Sequence, residues 1–266
     1  MSSKPNADLG AGGALAAGWR AMVAHPRVTA FAVALYAAAF VPLHFIGDSL
    51  GGGSPSMDTS QAALVKLVLY QMGALLAVTA IVGPLFGALA VFAGMRSSDG
   101  DPGSLYEGIN FSLARYARIF WWFLVVQLSV QIGLQLIVLP GILFFQMYAF
   151  VVPVLCMERE PWPLARSKRL TTGKRRTIFL LLLPWLVIYV GFGLLDLLGT
   201  LNSWVVAITH QEHPSDLAMG VTWLLAEGLR SFYEFWMTAA LYFLYEARIR
   251  RIEELRAARA IEAAAT

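Results

Sequence analysis

Glu227, Arg230 and Glu234 stand three and four residues apart inside one of the most apolar stretches of the chain. On a helix this spacing lays carboxylate, guanidinium and carboxylate along one face, so either acid can neutralise the cation. A charge inside a membrane helix costs roughly 3 kcal/mol on insertion scales and normally faces the bundle interior, where it pairs or meets water. Two chemistries are open to the trio. It is a structural lock that fixes helix packing, or it lines an externally open polar cavity that receives a headgroup or a small polar solute. In the cavity reading Arg230 is the anion-binding group and Glu234 a proton or cation site. Gln127, Gln131 and Gln135 recur every four residues on one helical face. Counted from Phe120 at 1.5 Å per residue, they lie about 10, 16 and 22 Å deep. Gln71, Gln146 and Asp196 fall in the same outer half. Counted from Tyr245, Glu234 lies about 16 Å and Arg230 about 22 Å deep, and Glu227 approaches the outer interface. The candidate cavity, or lock, is therefore Gln127, Gln131, Gln135, Asp196, Glu227, Arg230 and Glu234.

Other reactive types are sparse. His210, Glu212 and His213 share one short segment, whereas a metal site needs three or four ligands in fixed geometry. Gly173-Lys174 invites a phosphate-loop reading, but Arg175 stands where a Walker loop requires a hydroxyl residue. The single cysteine, Cys156, excludes an internal disulfide and reads as a buried apolar thiol. With no His-x-x-x-His and no paired catalytic carboxylates on the helices, neither a cofactor nor an enzymatic activity is expected.

The elements that position these groups follow from composition. Apolar residues make up 58% of the 266-residue chain and charged residues 14%, too much apolar surface for a soluble core of this size. A membrane helix needs about 20 apolar residues, and six segments approach that length: residues 28–46, 64–93, 119–139, 141–157, 178–201 and 217–245. Pro140 and Gly141 place a tight reversal between the third and fourth. The expected fold class is an all-α integral membrane protein with six transmembrane helices. Residues 1–27 form a cytoplasmic N-terminus with an interfacial helix, 28–245 the membrane domain and 246–266 a cytoplasmic helical tail. The N-terminal run lacks a cleavage pattern and reads as a retained anchor.

All basic residues except Lys66 and Arg230 fall in four clusters: before the first apolar segment, between the second and third, between the fourth and fifth, and after the sixth. The intervening loops carry Asp48, Asp58, Glu212 and Asp216. By the positive-inside rule both termini are cytoplasmic. The densest cluster, Arg166, Lys168, Arg169, Lys174, Arg175 and Arg176, suits anionic lipid headgroups at about 1 kcal/mol per residue near the surface, or simply holds topology. Basic residues clustered between hydrophobic runs make membrane lipid, not nucleic acid, the expected partner. Ile249, Ile252 and Leu255 form an apolar stripe on the tail that could dock a protein partner, or merely end a solvated helix.

A short amphipathic stretch precedes the first, third and fifth apolar segments: LAAGWRAMVAHPR from Leu15, LYEGINFSLARYAR from Leu105 and LARSKRLTTGKRR from Leu164. Three parallel repeats of interfacial helix plus transmembrane hairpin would produce this layout. So would the general tendency of helices entering from the cytoplasm to acquire a basic lead-in.

The stretch LPGILFFQMYAFVVPVLCMEREPWPLARSKRLTTGKRR, residues 139–176, resembles the bacterial integral membrane family named after the membrane domain of glycerophosphodiester phosphodiesterases, together with the YciC-like proteins. The resemblance rests on Pro140, Gly141, Ile142, Pro153, Glu158, Arg166, Ser167, Leu170, Thr171 and Gly173. Lys168 departs from it where the family usually has tryptophan, and Leu164-Ala165 inverts an Ala-Leu pair. It implies a helical membrane fold and no phosphodiesterase activity, which belongs to a separate domain that some relatives carry. The functional expectation is a non-enzymatic inner-membrane protein of the bacterial envelope, acting as scaffold, assembly factor or lipid-associated module. The alternative is a small transporter or permease component using the polar cavity.

Overall fold

The computed structural model describes residues 9–51, 61–136, 138–184, 187 and 216–265, and among them all regular structure is helical. Helix α1 (Ala11–Ala24) meets α2 (Pro26–Gly51) at a bend of 98°. His25 lies at that elbow with φ −122° and ψ 58°, in keeping with the clash by which a proline ring disfavours the helical region for the residue before it. Pro26 itself opens α2 at the one place where a missing N–H costs nothing. Helix α3 (Gln61–Asp99) contains Pro84, which has no N–H for the Ala80 carbonyl. The neighbouring Ile81 carbonyl accepts the Tyr116 hydroxyl at 2.9 Å.

Helix α4 (Leu105–Leu113) begins with a capping box, Ser104 Oγ accepting from the Glu107 N–H and the Glu107 carboxylate from the Ser104 N–H. Helix α5 (Tyr116–Leu136) and α6 (Val138–Tyr148) form a hairpin so close that a Cβ on Gly133 would lie 2.8 Å from the Gly141 nitrogen. Pro140 and Gly141, expected to make the reversal, lie instead within the first turn of α6, where a proline is tolerated.

Helix α7 (Val151–Met157) continues α6 after a break at Ala149–Phe150. Pro153 has no N–H for the Ala149 carbonyl, and a side chain from further along bonds the main chain on either side of that residue. Ser167 Oγ accepts from the Phe150 N–H at 3.2 Å and donates to the Met147 carbonyl at 2.9 Å. Ser167 belongs to α8 (Pro163–Thr171) and is fully buried. Ser167→Ala should therefore lower stability by about 1–3 kcal/mol, since two buried main-chain groups lose their partner. A drop in the thermal unfolding midpoint of detergent-purified protein, absent in Thr172→Ala, checks this. A further helix, α9, occupies residues 175–184, and α10 (Asp216–Ala265) runs 50 residues.

Helices α3 and α10 form the centre. Both pack on α1, α2 and α7 and on each other, while α4 and α5 lie against α3. The core is built on Phe92, Phe150, Phe235, Leu89, Ile119 and Leu244, all fully buried. Outward, α5 exposes Trp121, Val125, Leu128 and Ile132 along one stripe, and α10 exposes Val221, Leu224, Leu225 and Leu229. Such apolar outer faces are compatible with a lipid surrounding. Two helical stretches are long and apolar enough to cross a membrane: Leu76–Asp99 with mean hydropathy 2.2 and Pro140–Met157 with 1.8. The bent pair Ala11–Ala24 and Pro26–Ala39 makes a third if it counts as one span. Against the expected six, these two or three are what the described helices supply. Helix α10 is long enough, but its three charges interrupt the apolar run. The fifth expected segment runs beyond the described residues.

The three amphipathic lead-ins adopt matching placements. Helix α1 packs on α10, α4 on α3, and α8 on α6 and α7. Three residues after the leading leucine of each comes a small, buried residue: Gly18, Gly108 and Ser167. Seven residues after it, Met22, Ser112 and Thr171 are buried, and eight after it Val23, Leu113 and Thr172 are exposed. At Gly18 an added Cβ would sit 2.9 Å from the Ala240 nitrogen, and at Gly108 it would press on the Phe92 ring at 3.1 Å.

Candidate functional site

The charged face of α10 folds onto itself and onto α2. Arg230 Nε lies 3.1 Å from Glu234 Oε1, and Arg230 Nη1 lies 3.7 Å from Glu227 Oε1. The side chains of Glu227, Arg230 and Glu234 are 8%, 23% and 14% exposed, so the pairs are largely shielded from solvent and gain more from Coulomb attraction than surface pairs do. The Tyr36 hydroxyl of α2, itself buried, hydrogen-bonds Glu234. An aromatic wall backs the group: Tyr36 stacks on Phe86 at 4.5 Å between centroids, and Phe86 meets Phe235 edge-on at 5.6 Å. Ser231 and Thr238 return their hydroxyls to the Glu227 and Glu234 carbonyls, leaving both carboxylates for the arginine face.

Of the expected cavity residues, the structure brings Glu227, Arg230 and Glu234 together. Gln127 is half-buried on α5, which packs on α3, α6 and α7, and among the described residues no hydrogen bond joins it to that group. The side chains of Gln131 and Gln135, and all of Asp196, lie outside the described residues. So do His210, Glu212 and His213. Tyr36 was absent from the expected set. Depth counting could have found it, since it lies eight residues, about 12 Å, past Val28 and so near the level of Glu234.

Glu158 and Arg166 belong to a second, half-buried network. Glu158, just past α7, accepts from Arg166 Nε at 2.8 Å and Nη2 at 3.2 Å, and from the Tyr245 hydroxyl at 2.8 Å. The hydrogen bond to Glu158 pushes the Arg166 guanidinium still higher in pKa, so it stays charged. Arg115 Nε donates to the Cys156 carbonyl, and Arg118 to the Glu158 and Glu160 carbonyls, placing two cations at the negative end of α7. Arg115 also lies 3.9 Å from the centre of the Phe111 ring. Within the expected headgroup-binding set, Arg166 is thus turned inward, Lys174 is half-buried, and Lys168, Arg169, Arg175 and Arg176 are exposed. Trp162 stands out beside them, 68% exposed.

A comparable pair joins α3 to α4. Arg96 contacts Asp101 and lies 3.2 Å from Glu107. Glu107 and Arg166 both stand two residues after the leading leucine of their lead-ins, so the two pairs correspond with the charges exchanged. Ala17 occupies that position in α1.

His25, at the α1–α2 elbow, is 3% exposed and hydrogen-bonds the Pro102 carbonyl through Nδ1 at 2.8 Å. Burial pulls its pKa below the ordinary 6.5. The native state then binds fewer protons than the unfolded chain in this window, so stability rises with pH through it. The contribution of His25 is complete above about pH 6.5 and is lost as the pH falls through the folded pKa. Thermal unfolding of wild type should weaken on acidification from pH 7 to 5, and His25→Asn should remove part of that slope.

Comparison with protein-family models, with curated proteins and with solved structures returns no match.

Proposed function

We propose that the chain is a non-enzymatic, six-pass protein of the bacterial inner membrane with both termini cytoplasmic. In this reading it is built from three units of interfacial helix plus hairpin and serves as a lipid-associated scaffold of the envelope. The observation that carries the reading is the shared seating of α1, α4 and α8. Each buries a small residue three positions after its leucine and exposes the residue eight positions after it, against the exit helix of the preceding hairpin, with α10 preceding α1 cyclically. Parallel repeats related by an axis along the membrane normal would give this arrangement. The cations left outward, Lys168, Arg169, Arg175 and Arg176 with Trp162 beside them, suit anionic headgroups at the cytoplasmic surface. The solute-cavity alternative draws less support, because the Arg230 guanidinium already faces Glu234 and Glu227.

Lipid preference tests the reading. Protein purified in detergent should gain more thermal stability from dioleoylphosphatidylglycerol than from dioleoylphosphatidylcholine. Changing Lys168, Arg169, Arg175 and Arg176 together to Gln should reduce that preference by about 10-fold in apparent affinity. An undiminished preference in the quadruple variant would remove the basic surface from the proposal.

A further inference from the structure

We propose that the cavity at the α1–α2 elbow binds a zwitterionic aminophosphate headgroup, a phosphate ester carrying a primary ammonium, as found in phosphatidylethanolamine. The proposal rests on the membrane reading above, which sets this elbow at headgroup level. The cavity, about 520 Å³, lies between the elbow and the α3–α4 turn, a volume within the range of small-ligand sites. On one wall are Arg27 and Val28 in the first turn of α2, and on the other Asp101, Ser104 and Glu107. Ala24, Pro26 and Leu105 supply apolar lining.

Each wall suits one end of such a headgroup. The first N–H groups of a helix lack intrahelical acceptors and attract phosphate, and Arg27 adds an exposed cation beside them. Across the cavity Asp101 and Glu107 present carboxylates, with Arg96 behind them contacting both. Arg27 and Arg96 together balance Asp101 and Glu107, so the surroundings are neutral overall. A neutral site with its charges on opposite sides favours a zwitterion over an anion.

The independent pointer to a ligand is His25, which also lines the cavity. The Pro102 carbonyl only accepts, so Nδ1 must carry the ring proton, and Nε2 is then an acceptor. Nε2 is buried and has no hydrogen-bond partner in the protein. A buried acceptor without a donor is costly, and a primary ammonium held in the cavity supplies N–H donors. A trimethylated ammonium has no N–H to offer, so phosphatidylcholine satisfies the carboxylates but not the imidazole.

Titration of the detergent-purified full chain, followed by its unfolding midpoint, separates the possibilities. The probes are dioleoylphosphatidylethanolamine, dioleoylphosphatidylcholine, dioleoylphosphatidylglycerol and water-soluble glycerophosphoethanolamine. Phosphatidylethanolamine is expected to bind about 10-fold more tightly than phosphatidylcholine. Arg27→Gln should weaken both zwitterionic lipids together, by loss of the phosphate contact, while leaving the midpoint without lipid unchanged, and Arg27→Lys should restore most of the binding. If glycerophosphoethanolamine binds as tightly as the lipid, the site takes the free headgroup and its chemistry stands. Equal affinity for the ethanolamine and choline lipids, or undiminished binding in Arg27→Gln, overturns the proposal. Release of the chain from membranes by alkaline carbonate would instead refute the membrane reading, a failure visible before any lipid is added.

Discussion

Arg230→Ala should destabilise the folded chain by about 3–5 kcal/mol, because it leaves two shielded carboxylates facing each other without their cation. In the native structure Arg230 reaches Glu234 at 3.1 Å and Glu227 at 3.7 Å from one helix face. Glu234→Gln keeps the shape and the Tyr36 contact but weakens the attraction, so a smaller loss, about 1–2 kcal/mol, is expected. The informative variant replaces all three together, Glu227→Leu, Arg230→Met and Glu234→Gln, the last keeping an acceptor for the Tyr36 hydroxyl. Removing a whole buried ionic group in favour of well-packed apolar residues is often neutral or stabilising. A structural lock therefore tolerates the triple change in unfolding measurements, and so does the cell. A working polar site tolerates it in unfolding alone, and the cellular phenotype disappears.

Gly18→Leu carries the second large effect. Helix α1 lies so close to α10 that even a Cβ would approach the Ala240 nitrogen to 2.9 Å and the Trp236 carbonyl oxygen to 3.0 Å. Neither atom can yield, since both are main chain of the central helix. The hydrogen bond from Trp236 Nε1 to the Leu15 carbonyl, 2.7 Å long, holds the same contact from the other side. Helix α1 must move away as a body, uncovering Ala14, Ala17 and Ala21, all buried at present. The cost is about 3 kcal/mol, and proteolysis near the elbow should appear in Gly18→Leu and stay absent in Gly12→Leu. No neighbour lies within 4 Å of a Cβ built at Gly12.

Several parts of this structure could be read directly from residue order. The apolar runs, the lead-in helices and the i, i+3 and i+4 pairing on α10 all depend on local spacing, which sequence states outright. The bend at His25-Pro26 falls where a proline disfavours helical geometry at the residue before it, although Pro84 and Pro153 lie within helices. Long-range partners were not legible. Nothing near Glu234 in sequence indicates Tyr36, and nothing near Phe150 indicates that Ser167 will bridge the α6–α7 break, since both contacts depend on how separate helices cross. Arg166 shows the same limit. Its neighbours make it look like one more exposed cation, yet Glu158 and Tyr245, which hold it inward, come from other elements. Ser167, Leu170 and Thr171 are buried and Glu158 and Arg166 half-buried, although their neighbours in sequence are largely charged.

Topology is the claim on which the rest depends, and accessibility of single cysteines tests it most directly. In a Cys156→Ser background, which removes the native thiol, cysteines introduced at Arg175, Glu212 and Glu262 would be exposed to a membrane-impermeant maleimide on intact cells and again after permeabilisation. The expected result is labelling of position 212 in intact cells, with positions 175 and 262 labelled only after permeabilisation. Labelling of 212 and 262 under the same condition would contradict the six-pass arrangement with both termini inside.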